Sequence, residues 1–322
     1  MTTTIHLVGD AAAQADLFHR ELPGVAVNAL PREASLDAAS DGAIGAGDVV
    51  VAMRFRRPNG APPFRLLHVQ GAGLDGIDFA ALRPGCTVCN VFEHEGPIAE
   101  YVLMHMLASE IRPQAMHFTA PGWGEAFRGR APHGELAGRT LAIVGFGRIG
   151  QAIAARARAF GVRIATLDRS LHQAARALVD VAVPADDLHG LLAIADYVVL
   201  SCPLNEKTQG MIDRAALAAI KPSAVLVNVA RAAVVDQQAL YDALLARRIG
   251  AAVLDVWYRT PIASDDNPRP CDLPFHDLPN AVCTPHSSAW TTALPGRRFR
   301  FIVANIRRLL ANEPLQNVVW PR

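Results

Sequence analysis

Short apolar runs alternate with amphipathic stretches along most of the chain, and this alternation predicts its secondary structure. In the first hundred residues the apolar runs have the length and β-branched content of buried strands. The stretches between them, such as residues 11–22, have the spacing of amphipathic helices. The predicted strands are residues 5–8, 25–27, 49–52, 66–69 and 87–91. Strands that alternate with helices are typical of a parallel sheet with crossover helices.

A second alternating series extends from residue 140 to residue 285. Its strands are predicted at residues 140–145, 162–167, 197–201, 224–229, 251–255 and 281–284, and its helices at 148–160, 186–194, 213–219 and 236–246. Each strand is almost entirely apolar, as expected where helices cover both faces of a sheet. The pattern therefore predicts an α/β fold with two parallel-sheet domains.

Three further segments connect or follow these series. A long helix is predicted over residues 97–111, because a proline stands in its first turn and Pro113 follows its end. Residues 119–132 and 258–278 are predicted as loops, the second long enough to be functional. Residues 295–312 have an apolar stripe with arginines on the other side, which predicts an amphipathic helix.

Composition and charge exclude several classes of function. The 322 residues include 31 Lys and Arg against 30 Asp and Glu, a net charge of +1, which gives no electrostatic reason to expect a nucleic acid or an anionic membrane as partner. The apolar runs are too short to span a bilayer. The first residues lack the pattern of a secretory signal, so we expect a cytoplasmic protein.

The five cysteines give no metal site. Cys86 and Cys89 have the spacing of a metal-binding pair, but no second pair completes it. We expect residues 86–90 to form a buried strand that carries two apolar thiols, in a reducing compartment.

A glycine-rich turn follows the predicted strand 140–145 and opens the next helix. In Gly145-Phe146-Gly147-Arg148-Ile149-Gly150, the first glycine would make the tight turn, the second would leave room for a pyrophosphate, and the third would let helix and strand pack closely. The helix N-terminus then offers free N–H groups to phosphates. The motif alone is weak, but the strand before it and the helix after it favour a dinucleotide site.

Asp168 stands at the end of the next predicted strand and bears on the choice of cofactor. A carboxylate there accepts hydrogen bonds from ribose hydroxyls and repels a 2′-phosphate, which favours NAD. Arg169 and Ser170 could instead bind that phosphate, so use of NADP stays open.

Further motifs, taken in order, resemble the D-isomer-specific 2-hydroxyacid dehydrogenase family. They are the loop 70–78, Ile98-Ala-Glu100, the run 185–196, Cys202-Pro-Leu204, Thr208, Val227-Asn-Val-Ala-Arg231, Val235-Asp236, Leu254-Asp-Val256 and Thr284-Pro-His286. The resemblance implies a flavodoxin-like substrate domain of residues 1–97 plus 290–322. A Rossmann NAD-binding domain of residues 98–289 would be inserted in it, with the active site in the cleft between the two domains. It also implies a homodimer.

The resemblance implies roles for individual residues. Arg231 would anchor and polarise the substrate, His286 would be the acid/base, and Asp255 would contact the nicotinamide end of the cofactor, although as a lone residue each could be structural. The other cofactor contacts implied are the glycine turn itself with Asp168, Arg169, Cys202, Pro203, Thr208, Val229, Ala230 and Ser288.

The substrate side of the site is less specific. The amides of Ala72 and Gly73 match the loop that receives the substrate carboxylate. His94, flanked by two glutamates, could contact substrate or be solvated. Arg54 could pair with a second acidic group on the substrate, or belong with Arg56 and Arg57 to a solvated basic edge.

The chain departs from the family at the position of the acidic partner of the histidine. The family usually has a glutamate there, whereas this chain has Thr260. A neutral residue would not stabilise an imidazolium as an anion does. We therefore expect a low pKa for His286, or a replacement carboxylate from Glu93, Glu95, Asp265 or Asp266.

Two kinds of chemistry and one non-catalytic role fit these residues. The first is hydride transfer between NAD(H) and a small 2-hydroxy or 2-keto acid. The second is oxidation of another small anion such as formate or phosphite, because formate carries no hydroxyl proton and the resemblance includes features of the formate dehydrogenase branch. The third is a dinucleotide-sensing scaffold, against which the joint presence of Arg231 and His286 argues.

Overall fold

The computed structural model describes residues 3–117, 122–168, 171–261 and 267–321. Within them the chain forms two units, each built on its own sheet. The first unit contains residues 3–93 and 291–321, and the second contains the described residues between 94 and 290.

The sheet of the first unit has strand order β2-β1-β3-β4-β5, with a further strand, β13, beside β5. The five leading strands are parallel and have the flavodoxin-type order. Its elements are β1 Thr4–Val8, α1 Ala15–Glu21, β2 Ala26–Leu30, β3 Val49–Ala52, β4 Leu66–Val69, β5 Thr87–Cys89, α9 Leu294–Leu310 and β13 Val318–Trp320. β13 pairs antiparallel with β5 and covers that edge of the sheet.

Apolar side chains cover both faces of this sheet. On one face α1 and α9 pack against the strands through residues such as Phe18, Phe299 and Ile302. On the other face the core is built around Phe55 and Leu67. The predicted amphipathic helix at 295–312 is confirmed, since its apolar stripe is the buried face of α9.

The sheet of the second unit has strand order β12-β11-β10-β9-β6-β7-β8, with every described pair parallel. Counted from β6, this is the Rossmann order, in which the chain reverses direction across the sheet between β6 and β9. Its strands are β6 Thr140–Val144, β7 Arg163–Leu167, β8 Val181–Val183, β9 Tyr197–Leu200, β10 Val225–Asn228, β11 Ala251–Leu254 and β12 Ala281–Cys283. The predicted α/β fold class is therefore confirmed.

Helices cover both faces of the second sheet and bury its apolar strands between two cores. The covering helices are α2 Glu95–Ile111, α4 Arg148–Ala157, α6 Leu188–Ile194, α7 Arg214–Ala219 and α8 Gln237–Leu245. The unit also contains α3 Trp123–Gly129, which has no buried residue, and the short α5 Gln173–Arg176. In the described part of the chain, no helix combines the length and the apolar character that crossing a membrane requires.

Several short elements differ from the sequence predictions. The predicted helix 11–22 begins as a 3-10 helix over Gly9–Gln14 before α1, and the predicted helix 148–160 ends as one over Arg158–Phe160. The predicted loop 119–132 is wrong in part, because it contains α3. β8, α5 and β13 were not predicted, since elements of three or four residues are too short for a period to be seen.

Candidate active site

The glycine-rich turn between β6 and α4 has the backbone that the motif predicts. Gly145 has φ +102°, and a Cβ on it would clash with the backbone of Ser201 and Cys202. A Cβ on Gly150 would lie 2.5 Å from the carbonyl oxygen of Gly145, so a side chain there would push α4 away from β6. Two of the three glycines are therefore required by close packing.

Gly147 serves the ligand side of the turn instead. Among the described residues, no atom beyond Gly147 and its chain neighbours lies within 4 Å of the place where its Cβ would be, so the turn is open at that point. α4 begins at the next residue and is ten residues long, so its first N–H groups and the positive end of its dipole are offered to a phosphate. The turn fits the pyrophosphate of a dinucleotide.

The other residues of the turn have different surroundings. Phe146 and Ile149 pack partly buried against the core, and exposed Arg148 lies 3.9 Å from Glu95.

Asp168 follows β7, the strand beside β6, and its side chain is about half exposed. Its Oδ1 accepts a hydrogen bond from Arg176 Nη1 at 3.1 Å, and Arg176 is the last residue of α5. A carboxylate held in this way can face a ribose, with a guanidinium beside it. Arg169 and Ser170 lie outside the described residues, so their predicted contribution to NADP binding stays a prediction.

The segments after β9 and β10 present the other predicted cofactor contacts. Cys202 is buried, Pro203 is exposed, and the Thr208 hydroxyl donates to the Pro203 carbonyl at 2.6 Å, which closes the loop. Val229 and Ala230 are buried directly after β10.

The Asn228 side chain shapes the backbone that leads to Arg231. Its Oδ1 accepts from the Ala230 amide at 3.1 Å, and its Nδ2 donates to the Arg231 carbonyl at 3.1 Å. Arg231 is partly exposed, and its Nη1 donates to the Ala230 carbonyl at 2.8 Å. The guanidinium is thus fixed at the end of β10 with part of its surface accessible.

Asp255 follows β11 and is fully buried. Its Oδ1 accepts from the Thr284 hydroxyl at 2.6 Å and from the Ser287 amide at 2.7 Å, and its Oδ2 accepts from the Ser288 amide at 2.9 Å. The carboxylate therefore organises the segment after β12 that carries His286. The predicted contact of Asp255 and Ser288 with the cofactor stays a prediction.

His286 stands within this segment in a left-handed backbone conformation, with φ +56°. Its amide donates to the Thr284 carbonyl at 3.0 Å. The residue as a whole is exposed, but desolvation of its imidazole by the surrounding protein lowers the pKa of His286 below 6.5. The negative charge of Asp255 raises this pKa, and the positive charge of Arg231 lowers it. The direction is the one expected when the usual glutamate is missing.

Thr260 does not replace that glutamate by contact. It is exposed, and among the described residues neither it nor a carboxylate hydrogen-bonds the His286 ring. Of the candidate replacements, Glu93 lies 3.9 Å from Arg297 and Glu95 lies 3.9 Å from Arg148. Asp265 and Asp266 lie outside the described residues. The carboxylate that acts on the pKa of His286 is instead Asp255.

In the first unit, the loop with Ala72 and Gly73 is held by the segment after β5. Asn90 Nδ2 donates to the Ala72 carbonyl at 3.0 Å, and the Val91 amide donates to the Gly71 carbonyl at 3.3 Å. Within the described residues the amides of Ala72 and Gly73 donate to no other group, so they are available to an anion.

Two predictions for the remaining charged residues are corrected. His94 is buried at the start of α2, so the solvated alternative is wrong. Arg57 does not belong to a solvated basic edge, because it is buried against Phe55 and paired with Asp41. Arg56 is exposed, and partly exposed Arg54 packs against Gly76, where a Cβ would lie 2.7 Å from Arg54 Cγ.

The strand order brings most of the predicted residues of the second unit to one edge of its sheet. Arg231, Asp255 and the segment with His286 follow the neighbouring strands β10, β11 and β12. Cys202, the glycine turn and Asp168 follow β9, β6 and β7, which continue the same edge. In parallel α/β sheets this edge, at the carboxyl ends of the strands, is where ligands bind.

Sequence reasoning missed the side chains that hold these residues in place. Asn228 and Thr284 stand inside the family motifs, where their position at a strand end could have indicated them, and Asn90 directly follows β5. Tyr101 hydrogen-bonds the Thr284 hydroxyl at 2.6 Å but is 183 residues away in sequence, and no local pattern indicates it.

Comparison with known proteins identifies the family. Residues 101–288 match the NAD binding domain of the D-isomer specific 2-hydroxyacid dehydrogenases. The D-3-phosphoglycerate dehydrogenase of Methanocaldococcus jannaschii is 34% identical over 262 residues, which cover 80% of this chain and 48% of that protein. The glyoxylate reductase of Thermococcus kodakarensis is 37% identical over 241 residues, which cover 72% of this chain and 69% of that protein.

A solved structure has the same fold over the whole chain. The D-isomer specific 2-hydroxyacid dehydrogenase family protein of Aeromonas salmonicida is 26% identical, with a TM-score of 0.75 over 99% of this chain and 98% of that one. This chain spans about half the length of the phosphoglycerate dehydrogenases it matches. Together, the matched NAD binding domain and the glyoxylate reductase relative show that the chain belongs to the D-isomer specific 2-hydroxyacid dehydrogenase family.

Proposed function

We propose that this protein is an NAD-dependent oxidoreductase that transfers a hydride between NAD(H) and a small 2-hydroxy or 2-keto acid. One observation carries the proposal: Arg231, Asp255 and the segment of His286 follow three neighbouring strands, on the same sheet edge as the glycine turn. The names of relatives, a phosphoglycerate dehydrogenase and a glyoxylate reductase, support substrates of this class.

The residues divide the chemistry between them. When bound, the nicotinamide supplies or accepts the hydride. The Arg231 guanidinium pairs with the substrate carboxylate and the carbonyl oxygen, which polarises the carbon that receives the hydride. His286 donates a proton to that oxygen during reduction and takes it back during oxidation, a step worth about 10²–10⁴ in rate. Asp255 keeps His286 in place.

The two units have separate tasks in this proposal. Residues 98–289 form the NAD-binding domain, in which the glycine turn holds the pyrophosphate and Asp168 the adenosine ribose. Residues 1–97 and 290–322 form the substrate domain, in which the amides of Ala72 and Gly73 receive the substrate carboxylate. The enzyme is a cytoplasmic homodimer that binds neither nucleic acid nor membrane.

A second candidate is oxidation of an anion that carries no hydroxyl proton, such as formate. Within the described residues no carboxylate hydrogen-bonds the His286 ring, and this chemistry needs no acid/base partner there. The substrate panel described next separates the two candidates.

The test is a panel of small 2-keto acids, including glyoxylate and hydroxypyruvate, assayed with NADH and with NADPH. Formate and phosphite are assayed in parallel with NAD⁺. Turnover of a keto acid that His286→Ala lowers by at least about 10²-fold supports the first candidate. Turnover of formate or phosphite alone supports oxidation of such an anion. Tight NADH binding with no turnover would overturn both and favour a dinucleotide sensor.

A further inference from the structure

The Asp255 carboxylate depends on hydrogen bonds for its place in the protein interior. It is fully buried and accepts from the Thr284 hydroxyl and from the amides of Ser287 and Ser288. Within the described residues it forms no ion pair. Moving a carboxylate from water into the protein interior is unfavourable unless such bonds compensate, so each donor matters.

These bonds also determine the conformation of residues 284–288. The segment is tied to Asp255 at both its start and its end, and the Trp257 indole N–H donates to the Thr284 carbonyl at 2.8 Å. His286 lies between the ties in a left-handed conformation that a non-glycine residue rarely adopts. Such a conformation persists only where surrounding contacts hold it.

Tyr101, on α2, adds a donor to this arrangement. The Thr284 hydroxyl has one hydrogen and gives it to Asp255, so at the 2.6 Å contact Tyr101 donates and Thr284 accepts. Burial raises the pKa of Tyr101 to about 12, so the phenol keeps its proton near neutral pH. The hydrogen bonds then run in one direction, from Tyr101 to Thr284 to Asp255, and each strengthens the next.

We propose that Tyr101 is a positioning residue for His286, acting through Thr284 and Asp255 to hold residues 284–288 in the conformation that presents the imidazole. The inference rests on the proposed function in that His286 is the acid/base. It adds a residue of α2 that lies outside the recognised motifs, directly after Ile98-Ala-Glu100.

The charged and titratable groups around this arrangement are few. His286 faces Asp255 and Arg231. Tyr101 faces Asp255 and Cys283, and its ring packs edge-on against His105 with 4.5 Å between centroids. Burial lowers the pKa of His105, and Asp255 acts against that shift.

The test compares Tyr101→Phe with Tyr197→Phe. Tyr197 is a matched control, because its hydroxyl donates to Glu110 at 2.8 Å and its ring packs in the same core as Tyr101. We expect Tyr101→Phe to lower kcat for the keto acid roughly tenfold, with the Kd for NADH within about twofold of the wild type. Tyr197→Phe should leave kcat unchanged.

The second readout is the titration of His286, followed by NMR without substrate and assigned by comparison with His286→Asn. A loosened segment releases the imidazole from its surroundings, so Tyr101→Phe should move its pKa up toward the ordinary value of 6.5. Tyr197→Phe should not move it. An unchanged kcat and titration in Tyr101→Phe, or equal losses in the two variants, overturns the proposal.

Variants at Thr284 keep the proposal testable if Tyr101→Phe does not fold. Thr284→Val removes the hydroxyl and should reproduce both effects, Thr284→Ser should retain wild-type behaviour, and the double variant with Tyr101→Phe should be no worse than Thr284→Val alone. Additive losses overturn the proposal. If the wild type reduces no keto acid, the proposed function fails, while the NMR titration still decides whether Tyr101 positions His286.

Discussion

Arg57 donates hydrogen bonds to both carboxylate oxygens of Asp41, with Nε 2.9 Å from Oδ1 and 3.0 Å from Oδ2. The arginine side chain is 1% exposed. Asp41→Ala leaves this cation buried without its anion, so we expect a loss of about 3 kcal/mol in the free energy of unfolding. Urea denaturation followed by circular dichroism measures it.

The control for this pair is Asp10→Ala, which breaks the exposed ion pair with Arg32. That change should cost less than about 1 kcal/mol. If the two variants lose the same free energy of unfolding, the burial of Arg57 does not increase the contribution of its ion pair to stability.

The low pKa of His286 predicts the pH dependence of both directions of the reaction. Reduction needs the protonated imidazole, so kcat/KM for the keto acid should fall as pH rises through a pKa below 6.5, the ordinary value. Oxidation needs the neutral form and should keep its rate down to the same pKa. If kcat/KM for reduction stays constant up to pH values well above 6.5, burial does not determine the pKa of His286.

If the proposed function holds, Arg231→Ala should lower kcat/KM for the keto acid on the order of 10³-fold, because it removes the group proposed to polarise the carbonyl. The Kd for NADH should stay within about twofold, since the pyrophosphate is held at the glycine turn. Arg231→Lys should recover only part of the activity, because an ammonium cannot pair bidentately.

Arg214→Ala is the control, as it removes an exposed arginine paired with Asp242 in the same unit. Steady-state kinetics and NADH fluorescence titration give both quantities. Normal turnover in Arg231→Ala would show that the assignment is wrong.

Asp168→Ser should improve binding of NADPH relative to NADH. The change removes the negative charge that repels a 2′-phosphate. In the wild type, Arg176 lies 3.1 Å from the Asp168 carboxylate, and in the variant it can pair with that phosphate instead. The ratio of the two Kd values should shift by at least about tenfold toward NADPH.

Adding Arg176→Ala to Asp168→Ser should cancel most of that shift, and Asp242→Ser should leave the ratio as in the wild type. If Asp168→Ser weakens both cofactors equally, the carboxylate does not discriminate between them.

Gly145→Ala tests the glycine turn against Gly138→Ala. Both glycines have positive φ, +102° at Gly145 and +79° at Gly138. A Cβ at Gly145 would clash with the Cys202 backbone, whereas one at Gly138 would have no atom of another described residue, its chain neighbours aside, within 4 Å. Gly138→Ala should cost about 1 kcal/mol of stability and leave NADH affinity intact. Gly145→Ala should cost more and weaken NADH binding at least about tenfold. Equal NADH affinities would contradict the role of the turn.

The residues whose places in the fold the sequence predicted are those with a local signal. The turn Gly145–Gly150 was recognisable because strand, glycine spacing and helix follow one another directly. The predicted residues after β9, β10, β11 and β12 share one edge because parallel strands end on the same side of the sheet.

The residues that it missed depend on contacts between distant segments. Arg57 stands in a basic stretch that is typical of a solvated edge, and only the fold brings Asp41 and Phe55 against it. In the sequence, Tyr101 is one of several residues of a helix, and only the fold places its hydroxyl beside Thr284. β13 is too short to show a period, and its partner β5 lies more than two hundred residues earlier.

That last pairing has a consequence for the synthesis of the protein. The first unit needs α9 and β13, so its opening ninety residues leave the ribosome long before the helix and strand that complete them. At about 5–20 residues per second the delay is roughly 10–45 s, during which the β5 edge and the apolar face under α9 have no cover. The described residues of the second unit end at residue 290, so this unit is fully synthesised before β13 and can fold first. In a newly made chain, the second unit, which contains the NAD binding domain, can therefore fold before the first unit, although the first unit contains the N-terminus.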